Sequence, residues 1–186
     1  MAGLSSSAHR AAPHLRSSLL AAPLQRVLRL QLSTETGRGF VDGAWWPYGH
    51  DLAVEVLDLV KQFPPRLGRL AWVVYSASDW GSNRRRGIQA DDALVNIGSF
   101  PRNDPHMVML RSVSPRVSRV VRLLVVPPEW EEQAAVYAMR TAASPSNTAT
   151  GSAILDESLD LLLAGHLSYG DGSGVGSRMS ADGPMR

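Results

Sequence analysis

The stretch ALVNIGSFPRNDPHMVMLRSVSPRVSRVVRLLVV, Ala93–Val126, decides the fold. Three apolar runs, ALVNIGSF, HMVMLRSV and RVVRLLVV, follow one another at hairpin spacing. Pro-Arg-Asn-Asp-Pro and Ser-Pro-Arg separate them, and these residue types make turns. Consecutive strands with no helix between them imply an antiparallel sheet of the α+β class and argue against a doubly wound fold.

Working outward, Pro127-Pro128 ends the last run, and EWEEQAAVYAMRTAA follows with helical spacing. Its acids Glu129, Glu131 and Glu132 stand where a helix N-terminus is electropositive. A short helix is expected around Ser152–Leu163. Upstream, GRLAWVVYS (Gly68–Ser76) is apolar on both faces and reads as a central strand. Before it, Leu52, Val56, Leu57, Val60 and Phe63 share one helical face, with Asp51 as N-cap and Pro64-Pro65 as the stop. RVLRLQL (Arg26–Leu32) alternates like a half-buried strand. The expectation is a four- to five-stranded, mostly antiparallel sheet with two to three helices packed on it.

The chain has 186 residues, 44% of them hydrophobic and 19% charged, which suits one globular domain with tails. Residues 1–23 contain no acid and are rich in Ser, Ala and Arg, imitating a transit peptide. They read better as a disordered leader, such as an over-extended start codon would add. Residues 164–186 form a Gly/Ser-rich tail, leaving 24–163 as the α+β domain. No run approaches the about 18 apolar residues of a membrane span. The absence of cysteine excludes disulfides, thiol catalysis and Cys-ligated metals, and fits a cytoplasmic protein. Lys61 is the single lysine, a bias that reads as GC-rich coding. A net charge of +2 gives no support to nucleic-acid binding, which is not expected.

Candidate site residues concentrate in VDGAWWPYGHDL (Val41–Leu52). Adjacent side chains of an extended segment face opposite ways, so Trp45 and Trp46 cannot both enter one core. One indole reads as core; the other covers a helix end or lines a groove, its N–H needing a partner. A packed corner leading into an Asp-capped helix is the plainer reading. The functional one is an aromatic-walled pocket with Asp42, His50 and Asp51 as polar contacts. Trp80 precedes NRRRG, where Arg84, Arg85 and Arg86 could clamp a phosphate or carboxylate, although a solvated loop explains them as well. Asp104 and His106 precede a strand, and with His50 and Asp51 they contain ligand types for a metal but no recognised spacing, so no metal site is assigned. No nucleophile elbow or phosphate-binding loop is present, and no cofactor is identified.

The blocks DGAWWP (Asp42–Pro47), GRLAWVVY with Trp80, DPH (Asp104–His106), LLVVPPE (Leu123–Glu129) and TGSAIL (Thr150–Leu155) resemble the bacterial domain of unknown function 5994 family, from about Arg26 to Glu157. The resemblance implies small cytoplasmic proteins of unassigned activity and transfers no catalytic residue. The chain departs from the family's pattern at Tyr48 and His50, where basic or polar residues are common, and in its longer arginine triplet. Two functions follow as expectations. One is a binding or interaction module with a Trp/Arg-lined groove for an anionic small molecule or a protein partner. The alternative is a small hydrolase or isomerase using Asp42 with His50 or His106 as acid and base.

Overall fold

The structure, a computed structural model, describes residues 26–81, 86–90, 93–100, 105–115 and 117–165. The leader lies outside these residues, as does the tail from residue 166. The class is α+β as expected, but the sheet is wider than the sequence suggests. Seven strands occur: β1 (Leu30–Leu32), β2 (Gly43–Trp45), β3 (Arg69–Ser76), β4 (Gly87–Ala90), β5 (Ala93–Phe100), β6 (Met107–Val113) and β7 (Ser118–Val125). Their order is β1-β2-β7-β6-β3-β5-β4. Four of the six pairings are antiparallel, while β2/β7 and β3/β5 are parallel.

The four- to five-stranded expectation fails at β2 and β4, which are three and four residues long and too short to show alternation. β2 is hidden inside the Trp-Trp block. It depends on Gly43, whose φ is 152° and where a Cβ would collide with the Gln31 carbonyl oxygen. β1 is shorter than its alternating run. Residues 26 and 28 are held instead by a side chain, with Gln62 accepting from the Leu28 N–H and donating to the Arg26 carbonyl, while the Arg29 carbonyl accepts from the Trp46 N–H.

Helix α1 (Leu52–Gln62) starts as its sequence predicts, the Asp51 carboxylate accepting from the Ala53 and Val54 N–H groups. It packs on one face of the sheet through Leu52, Val56, Leu59 and Phe63, against Val73, Val95, Val108, Leu110 and Leu123. Helices α2 (Glu132–Ala142) and α3 (Gly151–Leu163) pack on the other face, around Trp46, Leu124 and Val126. Ala135, Ala138 and Ala142 let α2 approach closely, and the Thr150 hydroxyl caps α3. Full burial of side chains such as Leu124 and Ile154 contributes about 1.5–3 kcal/mol each. No helix among the described residues is long and apolar enough to cross a membrane.

This coverage is uneven. α2 contacts β1, β2 and β7, and beyond it, among the described residues, the same face of the sheet has exposed side chains such as Trp72, Leu94 and Val120. β2, β7, β3 and β5 all point the same way, which gathers the loops after them, and the entry to β6, at one end of the sheet.

Candidate functional site

The Trp-Trp corner is a packed joint. Trp45 joins the α1 side and Trp46 the α2 side, as alternation requires, but both are buried, 1% and 8% exposed. The expectation that one indole borders a surface groove is therefore corrected. The Arg29 guanidinium covers Trp46 at 3.6 Å from the ring centre and lies 3.8 Å from that of Tyr48. It also donates to the carbonyls of Trp46 and Pro47. Burial holds its pKa below the ordinary arginine value, against the pull of Tyr48 and Glu55. Glu55, buried beneath, accepts from the Tyr48 N–H at 2.9 Å and faces Arg26 at 3.4 Å. Burial raises its pKa, and the Tyr48 N–H and Arg26 oppose that rise. Sequence reading missed Arg26, Arg29 and Glu55: alternation sets Arg29 on the side away from Leu28, Leu30 and Leu32, and the partners of all three come from other segments of the chain.

Asp42 is equally structural. Its carboxylate accepts from the Gly37 N–H, the Arg122 N–H at 2.9 Å and the Arg122 Nε at 3.3 Å. It thereby pins the loop before β2 to β7, and Arg122 also donates to the Gly39 carbonyl. Asp51 is an exposed helix cap. Neither meets a histidine through these bonds.

The histidines meet elsewhere, at the sheet end where the parallel strands finish. Asp79 closes the 3₁₀ turn Ala77–Asp79 after β3, and its side chain is 5% exposed. His106 Nδ1 lies 2.7 Å from Asp79 Oδ1, and His50 Nδ1 lies 2.9 Å from the Asp79 carbonyl oxygen. A carbonyl only accepts, so this His50 nitrogen must carry a proton. Its Nε2 faces Glu129 at 3.3 Å. Asp79 Oδ2 is buried without a hydrogen-bond partner. His106 adopts φ 64°, the left-handed region that costs a non-glycine residue about 1–3 kcal/mol. A buried carboxylate, an orphaned oxygen and a strained backbone thus coincide at one place. His50 and His106 were legible as candidates; Asp79 and Glu129 were not, since ASDW reads as a plain loop and Glu129 as a helix-start acid.

Trp80 stacks on Trp45 with ring centres 5.3 Å apart at 32°, and it is buried. Its Nε1, like that of Trp46, has no partner. Arg84, Arg85 and Asp104 lie outside the described residues. Arg86 is exposed, and its carbonyl accepts from the Ile97 N–H at 2.9 Å. Among the described residues no three His, Asp or Glu side chains are placed to hold a metal ion.

A second candidate surface is the open sheet half. Trp72, Val74, Met109, Arg111, Ser118 and Val120 line a shallow hollow of about 490 Å³. Trp72 is 43% exposed and Val120 50%, and Arg111 Nε donates to the Ser118 hydroxyl at 3.1 Å. Strands β3 to β7 contain no acidic residue, so the Arg111 charge has no counterion within the sheet. A larger hollow of about 680 Å³ lies at the opposite end from the histidines, with Arg69 the one charged residue of its lining among the described residues.

Residues 29–142 match the model of a family described as "Family of unknown function (DUF5994)". That match spans more than half of the chain, which therefore belongs to this family. Neither a curated protein nor a solved structure matches it.

Proposed function

We propose that this member of the DUF5994 family is an interaction module whose binding surface is the open half of its sheet. The observation that carries the reading is the uncovered group Trp72, Val74, Met109 and Val120 on three adjacent strands, with Arg111 among them. Scattered surface hydrophobes need no explanation, but a contiguous patch bearing Trp, Met and Arg has the composition of a docking site. The patch favours an occupant that is apolar with a carboxylate. It also replaces the Trp46–Trp80 corner as the binding surface, since both those indoles are packed beneath their neighbours. The test is a photo-crosslinking residue at position 120, in cells, with position 54 on the exposed side of α1 as control. A discrete adduct from position 120 alone supports the reading; equal labelling from both positions, or none from 120, overturns it.

A second reading keeps the hydrolase or isomerase alternative, with Asp79 in place of Asp42. Its support is the 2.7 Å contact of Asp79 with His106, which orients the imidazole and sets its tautomer as a buried acid does for a general base. A panel of activated esters and enolisable carbonyl compounds tests it. Turnover lost in His106→Gln at unchanged melting temperature supports it; turnover that survives that substitution, or no turnover at all, removes it.

A further inference from the structure

The open sheet half lacks an acid and has exposed apolar side chains. One other described surface has the converse character. Along α3, Asp156, Leu159, Asp160 and Leu163 fall at i, i+3, i+4 and i+7 and so form one stripe. The buried residues Gly151, Ile154, Leu155 and Ser158 form the opposite stripe. All four outer residues are exposed, Leu163 at 83%, and α3 has no basic residue. Asp160 sits in the last turn, where the helix end is already negative and an acid is disfavoured. Within the chain nothing on α3 offsets it. An external cation beside that turn would, and Arg111 on the open half is a cation with no acidic partner among the described residues.

We infer that the occupant of the open sheet half is α3 of a second copy of this chain. The inference rests on the reading of that half as a docking surface. Val120 and Leu124 lie on one face of β7, so the open patch and the α2–α3 layer are neighbours on the same side of the sheet. The outer stripe of α3 points away from its own core and cannot turn back onto its own strands. Two copies related by a two-fold axis, face to face, would each lay α3 on the other's open half, the self-complementary arrangement that closes a dimer. Leu159 and Leu163 would then cover Trp72, Met109 and Val120, and Asp156 and Asp160 would meet Arg111.

Sedimentation equilibrium of the full chain tests this by charge exchange. The expected species has twice the 20.1 kDa of one chain. Arg111→Asp, and separately Asp156→Arg with Asp160→Arg, should each weaken dimerisation roughly tenfold or more. The variant carrying all three changes should recover it, and recovery also excludes misfolding as the cause of the loss. A monomer at every concentration overturns the second copy as occupant. If position 120 then yields an adduct with a different protein, the docking surface itself still stands. A dimer lost with Arg111→Asp but indifferent to the α3 changes overturns α3 as the contacting element and keeps the surface. A dimer indifferent to both overturns the inference and removes its support from the surface.

Discussion

Two regions of the molecule pair tryptophan with arginine, and they differ in almost every other respect. At the corner, Trp46 lies under Arg29, whose donors reach two carbonyls, with Tyr48 closing the other side of the guanidinium and Glu55 nearby. On the open sheet half, Trp72 stands beside Arg111, which has a serine hydroxyl as partner and no acid on its strands. In the first the cation is satisfied within one chain; in the second it has no acid on its own or the neighbouring strands. An Arg–Trp pair in a sequence therefore does not itself mark a site. What separates joint from surface is whether the backbone and the neighbouring charges already satisfy the cation.

The sharpest way to break this comparison is to truncate an indole in each region. Trp45→Ala should cost about 3–5 kcal/mol of unfolding free energy, because it empties a core position stacked on Trp80. Trp72→Ala should change the stability of the monomer by less than about 1 kcal/mol. Denaturant titration at low protein concentration reads both. Comparable losses at the two positions would mean that Trp72 is packed like the core and that the contrast is false.

A buried anchor gives the next largest effect. Asp42→Ala strands the Gly37 and Arg122 N–H groups and leaves Arg122 without its carboxylate, and about 3 kcal/mol should be lost. Circular dichroism melts detect that loss. No change would mean that the loop before β2 is held by something other than this acid. The same substitution must leave His106-dependent turnover, if there is any, in place, since Asp42 and His106 belong to different clusters.

These two regions also show what could be read beforehand. α1, α2, α3 and the strands β5, β6 and β7 follow from periodicity, caps and turns, all of them local signals. β2 escapes because its reason for being a strand is remote: Ala44 pairs with Leu124, eighty positions away. The role of Asp42 is remote for the same reason. His50 and His106 announce themselves by residue type, whereas Asp79 and Glu129 become partners only because four strands end at one edge of the sheet. Exposure of Trp72 is equally illegible. Its strand reads as apolar on both faces, and nothing local says that α2 and α3 stop short of it.

Removing the cation at the corner is a smaller perturbation. Arg29→Ala loses two hydrogen bonds to carbonyls and the stacking on Trp46, worth about 2 kcal/mol together. Arg29→Lys should recover only part of this, because an ammonium cannot reach both carbonyls while lying flat on the ring. Full recovery by lysine would reduce the joint to a point charge over an aromatic face.

The smallest effect is the most diagnostic, since it asks whether the corner holds a buried charge at all. Burial keeps the Glu55 carboxyl above its ordinary value of 4.5, so the folded chain takes up a proton there more readily than the unfolded one. Stability must then fall as pH rises from 4.5 through the raised folded value, and this contribution is flat outside that window. Glu55→Gln has no such titration. The unfolding free energy of the variant minus that of the parent should increase across the window, by about 1.4 kcal/mol for each unit between the two values. Trp72→Ala, which touches no buried acid, should run parallel to the parent over the same range. A flat difference for Glu55→Gln would place that carboxylate in water, and the corner would then resemble the open half of the sheet more than its packing implies.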